Sequence, residues 1–209
     1  MGDPGNKARI AVLASGRGSN FVAVQKSIDA GEIDASIVVL ICNNPGAGAI
    51  DAARKFGIDV AVIESAGVSK ADFDKQVVNK LKEYDVDLIL LAGFMKIIGR
   101  PLLEAFQGKI LNIHPSLLPS FKGLDAQRQA IEYGVKVSGC TVHFVDEGMD
   151  TGPIILQAAV PVFDNDTEDS LSKKILAEEH RIYSEAVKLF LENRLTINGR
   201  RVFIRQQPV

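Results

Sequence analysis

The chain has 209 residues, of which 46% are hydrophobic and 24% charged, and its net charge is -2. That length suits one large domain or two small ones, and the balance is that of a globular protein rather than a disordered one. A slightly negative chain gives no bulk electrostatic case for nucleic acid, and no stretch approaches the roughly 20 apolar residues of a membrane span, so neither partner is expected.

Residues 1–8 are polar, without the apolar core of a signal peptide, and read as a flexible leader to a cytoplasmic protein. From there apolar, β-branched runs alternate with helical patterns. Strands are expected at 9–14, 35–42, 60–63, 88–92 and 110–113. Helices are expected at 19–30, 47–56, 70–84 and, opened by a proline, 101–106. Near-continuous apolar strands between helices imply a Rossmann-like α/β fold, its mostly parallel central sheet flanked by helices. The pattern then changes. Two long apolar runs, 137–145 and 154–162, are joined by residues 146–153 with no helix between, which predicts an antiparallel or mixed C-terminal edge. A long amphipathic helix over 167–191 begins with an acidic turn. A hairpin around Asn198-Gly199 lies in the tail 192–209. With no linker or repeat, one domain spanning 1–209 is the simplest organisation. Cys42 and Cys140 stand in apolar runs without CxxC spacing and read as buried free thiols.

Four constellations carry chemistry. The first and most informative is Asn112-Ile113-His114-Pro115-Ser116-Leu117-Leu118-Pro119. On a strand, Asn112 and His114 point to one side, and Pro115 ends the ladder. An amide donor and a titratable base then stand together, the parts that stabilise an oxyanion and move a proton in acyl transfer. A capped turn with a backbone-satisfied histidine would use the same residues.

The second is Ser15-Gly16-Arg17-Gly18-Ser19-Asn20, between a strand and a helix. Glycines allow the tight turn, and amides at a helix start favour an anion. Phe21 stands after Asn20, so the third glycine of GxGxxG is missing, and Cys42-Asn43-Asn44 replaces a ribose-binding acid; a phosphate monoester fits better than a dinucleotide. A bare turn capped by Ser19 is the other reading. The third is the acidic loop Asp146-Glu147-Gly148-Met149-Asp150-Thr151-Gly152-Pro153, longer than a hairpin needs. From it Asp150 is expected to pair with His114, fix its tautomer and raise its pKa. A solvated acidic loop would look the same. The fourth, Gly93-Phe94-Met95-Lys96-Ile97-Ile98, puts apolar side chains at a strand end, where a flat heteroaromatic ligand would bind if they are not simply core. His143, alternating with Val142 and Phe144, reads as a structural or supporting histidine, and His180 as a surface or helix-packing residue.

Taken together, IAVLASGRGSN, CNNPGAGAIDAARKFGI, LAGFMKIIG, NIHPSLLPSFKG and VHFVDEGMDTGPIILQ resemble, in order, the phosphoribosylglycinamide formyltransferase family, also called glycinamide ribonucleotide transformylases. The resemblance runs from about Arg9 to the end of the long helix. It implies a Rossmann-like fold without a dinucleotide. It also implies transfer of a formyl group from 10-formyltetrahydrofolate, as co-substrate, to the amine of 5-phosphoribosylglycinamide in purine biosynthesis. Asn112, His114 and Asp150 match the family's catalytic trio. Gly18, Ser19 and Asn20 match its phosphate site, and Glu179 an acid that contacts the glycinamide substrate. Lys70, Met95, Lys96, Ile97 and Ile98, with Asp146, Glu147, Gly148 and Met149, match its folate pocket. Lys70 falls where relatives often carry an arginine, and lysine lacks that planar fork. Residues 123–127 carry no histidine, whereas some relatives have one or two there.

The implied mechanism sets the Asn112 amide and a protonated His114 against the oxyanion. Asp150, or a water it holds, moves the proton from the attacking amine to the departing folate nitrogen. No metal is expected, and the partners are small molecules, with the chain a monomer or homodimer. The competing readings are a methionyl-tRNA formyltransferase-like domain, a formyltetrahydrofolate deformylase-like hydrolase and a non-enzymatic nucleotide-binding module. Negative charge and the expected single-domain extent weigh against the first, and a short leader against the second. The third leaves Asn112, His114 and Asp150 without a joint purpose.

Overall fold

A computed structural model describes residues 7–206. Residues 1–6 and 207–209, which include most of the expected leader and the end of the tail, lie outside the described residues. The chain forms two compact units, Met1–Leu111 and Asn112–Val209.

The first unit alternates strands and helices: β1 (Ala8–Ala14), α1 (Ser19–Asp29), β2 (Ala35–Cys42), α2 (Gly48–Lys55), β3 (Asp59–Val62), α3 (Lys70–Lys82), β4 (Leu88–Leu91), α4 (Arg100–Ala105) and the start of β5 (Ile110–His114). Its strand order is β3-β2-β1-β4-β5, and β1 pairs in parallel with both β2 and β4. The apolar runs of β1, β2 and β4 are buried on both faces, as strands covered by helices on each side must be. Strand order reverses at β1, so the crevice beyond the carboxyl ends of β1 and β4 is a topological switch point, where ligands of open α/β sheets bind.

The second unit holds the end of β5, then α5 (Ala126–Tyr133), β6 (Val137–Phe144), β7 (Ile154–Pro161), α6 (Glu168–Leu191), β8 (Leu195–Asn198) and β9 (Arg201–Ile204). Here β6 and β7 are antiparallel, β9 runs parallel to β7, and β8 pairs antiparallel with β9: the expected mixed edge. The 24-residue helix α6 starts at a capping box, with Thr167 accepting from Ser170 N and Ser170 returning the bond to the Thr167 amide. It buries Leu171, Ile175, Ile182, Ala186 and Val187 against β6 and β7. The fold is thus α/β with a mostly parallel sheet, as the sequence predicts. Helix α5 has no counterpart among the expected elements. Among the described residues no helix is long and apolar enough to cross a membrane.

Candidate active site

Strand β5 carries Asn112 and His114 out on one face, His114 only 5% exposed. Strand β6 ends at Phe144, and the loop to β7 folds back over itself. Its Asp146 Oδ1 accepts from Gly148 N at 3.1 Å and from Thr151 Oγ1 at 2.6 Å. Asp150 takes up a left-handed conformation (φ 50) in this loop, one that short polar side chains tolerate better than most. That conformation brings its carboxylate to the two β5 side chains.

The carboxylate is the hub. Asp150 Oδ1 lies 3.4 Å from Asn112 Nδ2 and 3.6 Å from His143 Nε2. Asp150 Oδ2 accepts the Gly123 N–H at 2.8 Å and lies 3.4 Å from His114 Nδ1. Four nitrogens therefore face one carboxylate. The structure brings together Asn112, His114 and Asp150, 38 residues apart at the widest, and adds His143.

Two carbonyls settle the ring orientations. His143 Nδ1 is 2.7 Å from Phe144 O, so that nitrogen carries the proton and Nε2 is left to accept from Asn112 Nδ2 at 3.1 Å. The contact fixes the Asn112 amide, since a flip would turn its oxygen onto both a lone pair and a carboxylate. Both Asn112 N–H groups are thus engaged, and an oxyanion recruits one only by competing with the longer contact to Asp150. The second carbonyl is Phe121 O, 2.8 Å from His114 Nε2. His114 Nε2–H donates to it, and Nδ1 is the position that takes up a proton facing Asp150.

The electrostatics correct one expectation. Burial lowers the His114 pKa below its ordinary 6.5 and outweighs the raising effects of the Phe121 carbonyl and the Asp150 charge. Asp150 was expected to raise it; the desolvation of a ring this deeply buried wins. Burial also pushes Asp150 up, but the His143 ring, the Gly123 N–H and neighbouring His114 more than offset it and hold the carboxyl below its ordinary range. At neutral pH the pair is a carboxylate beside a neutral imidazole. Because the unfolded chain binds a proton near pH 6.5 and the folded chain does so only at lower pH, His114 costs stability as pH falls through 6.5. An imidazole NMR titration should place its midpoint below 6.5; a midpoint above that value would mean the Asp150 charge dominates.

The other expected residues divide between the units. Gly18 caps α1 at φ 75, so the cap is glycine rather than Ser19, which is the first helical residue. A Cβ on Gly18 would stand 2.8 Å from Ala49 Cβ and from Phe21 Cδ1, so glycine is required by space as well as dihedral. Ser19 and Asn20 open the helix, with Asn20 buried. At the switch point Ser15 N–H donates to Gly93 O at 3.1 Å, and Ser15 Oγ accepts from Met95 N at 2.8 Å while donating to Asn43 Oδ1 at 2.6 Å. The glycine-rich loop and the Gly93–Met95 turn are therefore tied side by side. Met95 is 62% and Ile97 55% exposed, and Lys96 is exposed too, whereas Ile98 is core at 6%. Phe94 is half-buried and stacks on Phe73. Lys70 opens α3 and is exposed; its charge favours the ionised form of Asp74, which burial pushes towards the neutral acid. In the second unit Glu147, Gly148 and Met149 are exposed. Glu179 of α6 is buried, and burial together with its charge drives the Cys140 thiol up to about 12.

Three contributors to the site go beyond the expected catalytic trio. His143, expected as a structural or supporting histidine, supports the site by orienting Asn112. The Phe121 carbonyl and the Gly123 N–H are backbone groups that no side-chain pattern announces.

Residues 8–187 match the family described as formyl transferase. The chain is 46% identical over 184 residues to phosphoribosylglycinamide formyltransferase of Bacillus subtilis, covering 88% of this chain and 94% of that protein. It is 46% identical over 197 residues to the trifunctional purine biosynthetic protein adenosine-3 of Bos taurus, covering 93% of this chain but only 20% of that much longer protein. The solved structure of glycinamide ribonucleotide transformylase 1 from Symbiobacterium toebii superposes with a TM-score of 0.94 at 51% identity, covering 97% and 96% of the two chains. The chain belongs to the formyl transferase family.

Proposed function

We propose that this chain transfers the formyl group of 10-formyltetrahydrofolate to the amine of 5-phosphoribosylglycinamide, a step of purine biosynthesis. The observation that carries the reading is the Asp150 carboxylate held between Asn112, His114 and His143. The acceptor amine attacks the formyl carbon, and the carbonyl electron pair moves onto oxygen. An Asn112 N–H turns from Asp150 to that oxyanion; a single donor of this kind typically accounts for about a hundred- to a thousandfold in rate. The proton leaving the attacking nitrogen is received at Asp150, directly or through a water, and shared with His114 Nδ1. A neutral imidazole is the right starting state for that role, and the cation it becomes lies beside both the carboxylate and the oxyanion. The oxyanion pair then re-forms the carbonyl as the bond from carbon to the folate nitrogen breaks, and that nitrogen, keeping the bond's electron pair, takes the proton.

Gly18, Ser19 and Asn20 are assigned to the substrate phosphate, where helix-start amides favour an anion. Glu179 is assigned to the glycinamide. Met95, Lys96 and Ile97, with Lys70 and the loop residues Asp146, Glu147, Gly148 and Met149, are assigned to the folate; Ile98 supports that pocket from the core. The decisive experiment is spectroscopic release of tetrahydrofolate. Release that requires 5-phosphoribosylglycinamide is expected. Release in its absence would make the chain a hydrolase of the formyl folate.

A further inference from the structure

After His114 the chain runs through residues 115–121 before the Phe121 carbonyl returns to the His114 ring at 2.8 Å. Phe121 itself has a left-handed backbone (φ 50); on its downstream side the Gly123 N–H bonds Asp150 at 2.8 Å and the Phe121 ring meets Tyr133 edge-on, and on its upstream side the loop is held from β6. What holds the loop is one buried hydroxyl on β6. Thr141, 0% exposed, donates from Oγ1 to Ser116 O at 2.7 Å and accepts from Leu118 N at 3.1 Å and Gln157 Nε2 at 2.9 Å. A hydroxyl has one donor and two acceptor positions, and all three are filled.

Gln157 stands opposite Thr141 in the β6/β7 register and also donates to Leu118 O at 3.1 Å. Within the loop, Ser116 Oγ donates to Ser120 O at 2.5 Å. Leu117 packs over Gly139, where an added Cβ would stand 2.9 Å from Leu117 Cδ2. The loop is thus gripped at Ser116, Leu117, Leu118 and Ser120, the last of them one residue before the carbonyl that meets His114.

We infer that Thr141 and Gln157 are positioning residues for the reaction: they lock residues 115–121 so that the Phe121 carbonyl holds His114 as its Nε2–H tautomer with Nδ1 turned to Asp150. The inference rests on the formyl-transfer reading, which gives the lock its chemical purpose. Neither residue touches the reacting atoms. If the knot served the sheet alone, breaking it would lower the melting temperature and leave the imidazole unmoved. If it positions His114, the ring loses its carbonyl partner, keeps the Asp150 carboxylate and the His143 ring as its titratable neighbours, and titrates at lower pH, because the Phe121 carbonyl favours the protonated ring.

The test uses the full chain and the variants Thr141→Val, Thr141→Ser and Gln157→Leu, with kcat, KM for both substrates, melting temperature and the His114 imidazole titration measured for each. Thr141→Val is expected to lose about ten- to a hundredfold in kcat with both KM values little changed, the scale of a small misplacement of a catalytic group. Its His114 midpoint should move to lower pH. Thr141→Ser, which keeps the hydroxyl, should restore both. Gln157→Leu, on the exposed side of β7, should shift both readouts in the same direction by less and carries the test if the valine variant does not fold. An unchanged kcat and an unmoved His114 titration in variants of lowered melting temperature would overturn the inference. An unmutated chain that transfers no formyl group, with the titration still shifting in the variants, would instead overturn the functional reading and leave the lock standing.

Discussion

Asp150→Asn is expected to bind both substrates and turn neither over at a useful rate. The change keeps the side chain's size but removes the charge and one acceptor. Asp150 accepts on both oxygens, from the Gly123 N–H on one and towards Asn112 on the other. An asparagine satisfies one of these sides and presents an N–H₂ to a donor on the other. It offers no carboxylate to receive the amine proton, and it withdraws the charge that favours protonation of His114. A fall in kcat of about a hundred- to ten-thousandfold follows, the usual range for a positioned acid–base group. The KM values should hold, because the residues assigned to the phosphate stand on another segment and the isosteric change leaves in place the Asp146 contacts that shape residues 146–149, assigned to the folate. The fold should hold too. Burial already favours neutral His114, so removing the carboxylate strands no buried cation, the situation that makes breaking a buried ion pair so costly. Steady-state kinetics with equilibrium binding of each substrate checks this. Turnover at the unmutated level would take Asp150 off the proton path.

The sequence carried the architecture because the strands of the first unit are buried on both faces. Runs such as LILLA and ASIVVLIC leave no room for a helical period, and the glycines and prolines that punctuate them mark the turns. Helix α5 escaped because its burial is slight: of Ala126–Tyr133 only Ala126 and Ala130 are buried, and the helix follows a left-handed Asp125, without an N-cap side-chain bond. At the site, spacing in the chain was enough to select Asn112 and His114, which share a face of one strand, and to suggest Asp150. It was not enough for the Phe121 carbonyl or the Gly123 N–H, which belong to backbone that every residue has. His143 was visible as a histidine between Val142 and Phe144. A buried ring in a strand must find two partners, and its place seven residues before Asp150, on the strand that feeds the loop, was the available hint that one partner lay in the site. The direction of the His114 shift has a related cause: an acid is visible in the sequence, whereas the depth of burial that outweighs it emerges only from the fold.

Gly152→Ala is expected to cost both stability and turnover, through a contact that involves no catalytic side chain. A Cβ at this buried glycine would stand 1.7 Å from Phe144 O and 2.8 Å from Phe144 C. Both obstacles are backbone, and the Phe144 N–H is bonded to Pro153 O at 2.9 Å, so the end of β6 and the start of β7 must separate to admit a methyl group. Overpacking of this kind costs about 1–3 kcal/mol, or a melting point lower by ~2–12 °C in a chain of this size. The displaced atom matters as much as the energy. Phe144 O is the acceptor that holds the proton on His143 Nδ1, and His143 Nε2 in turn orients the Asn112 amide. Asp150 lies only two residues from the altered position. One methyl group therefore disturbs the carboxylate, the imidazole and the amide together, and kcat should fall about a hundredfold or more, as misplacement by about an ångström can do. Gly57→Ala is the control. Gly57 also has a left-handed backbone (φ 69), but nothing stands within 4 Å of the added Cβ, and it lies at the end of α2. It should lower the melting temperature through backbone strain, about 1–2 kcal/mol, and leave kcat intact. Equal losses of turnover in the two variants would mean that the site fails with global stability; a loss confined to Gly152→Ala ties catalysis to the close approach of the loop to Phe144.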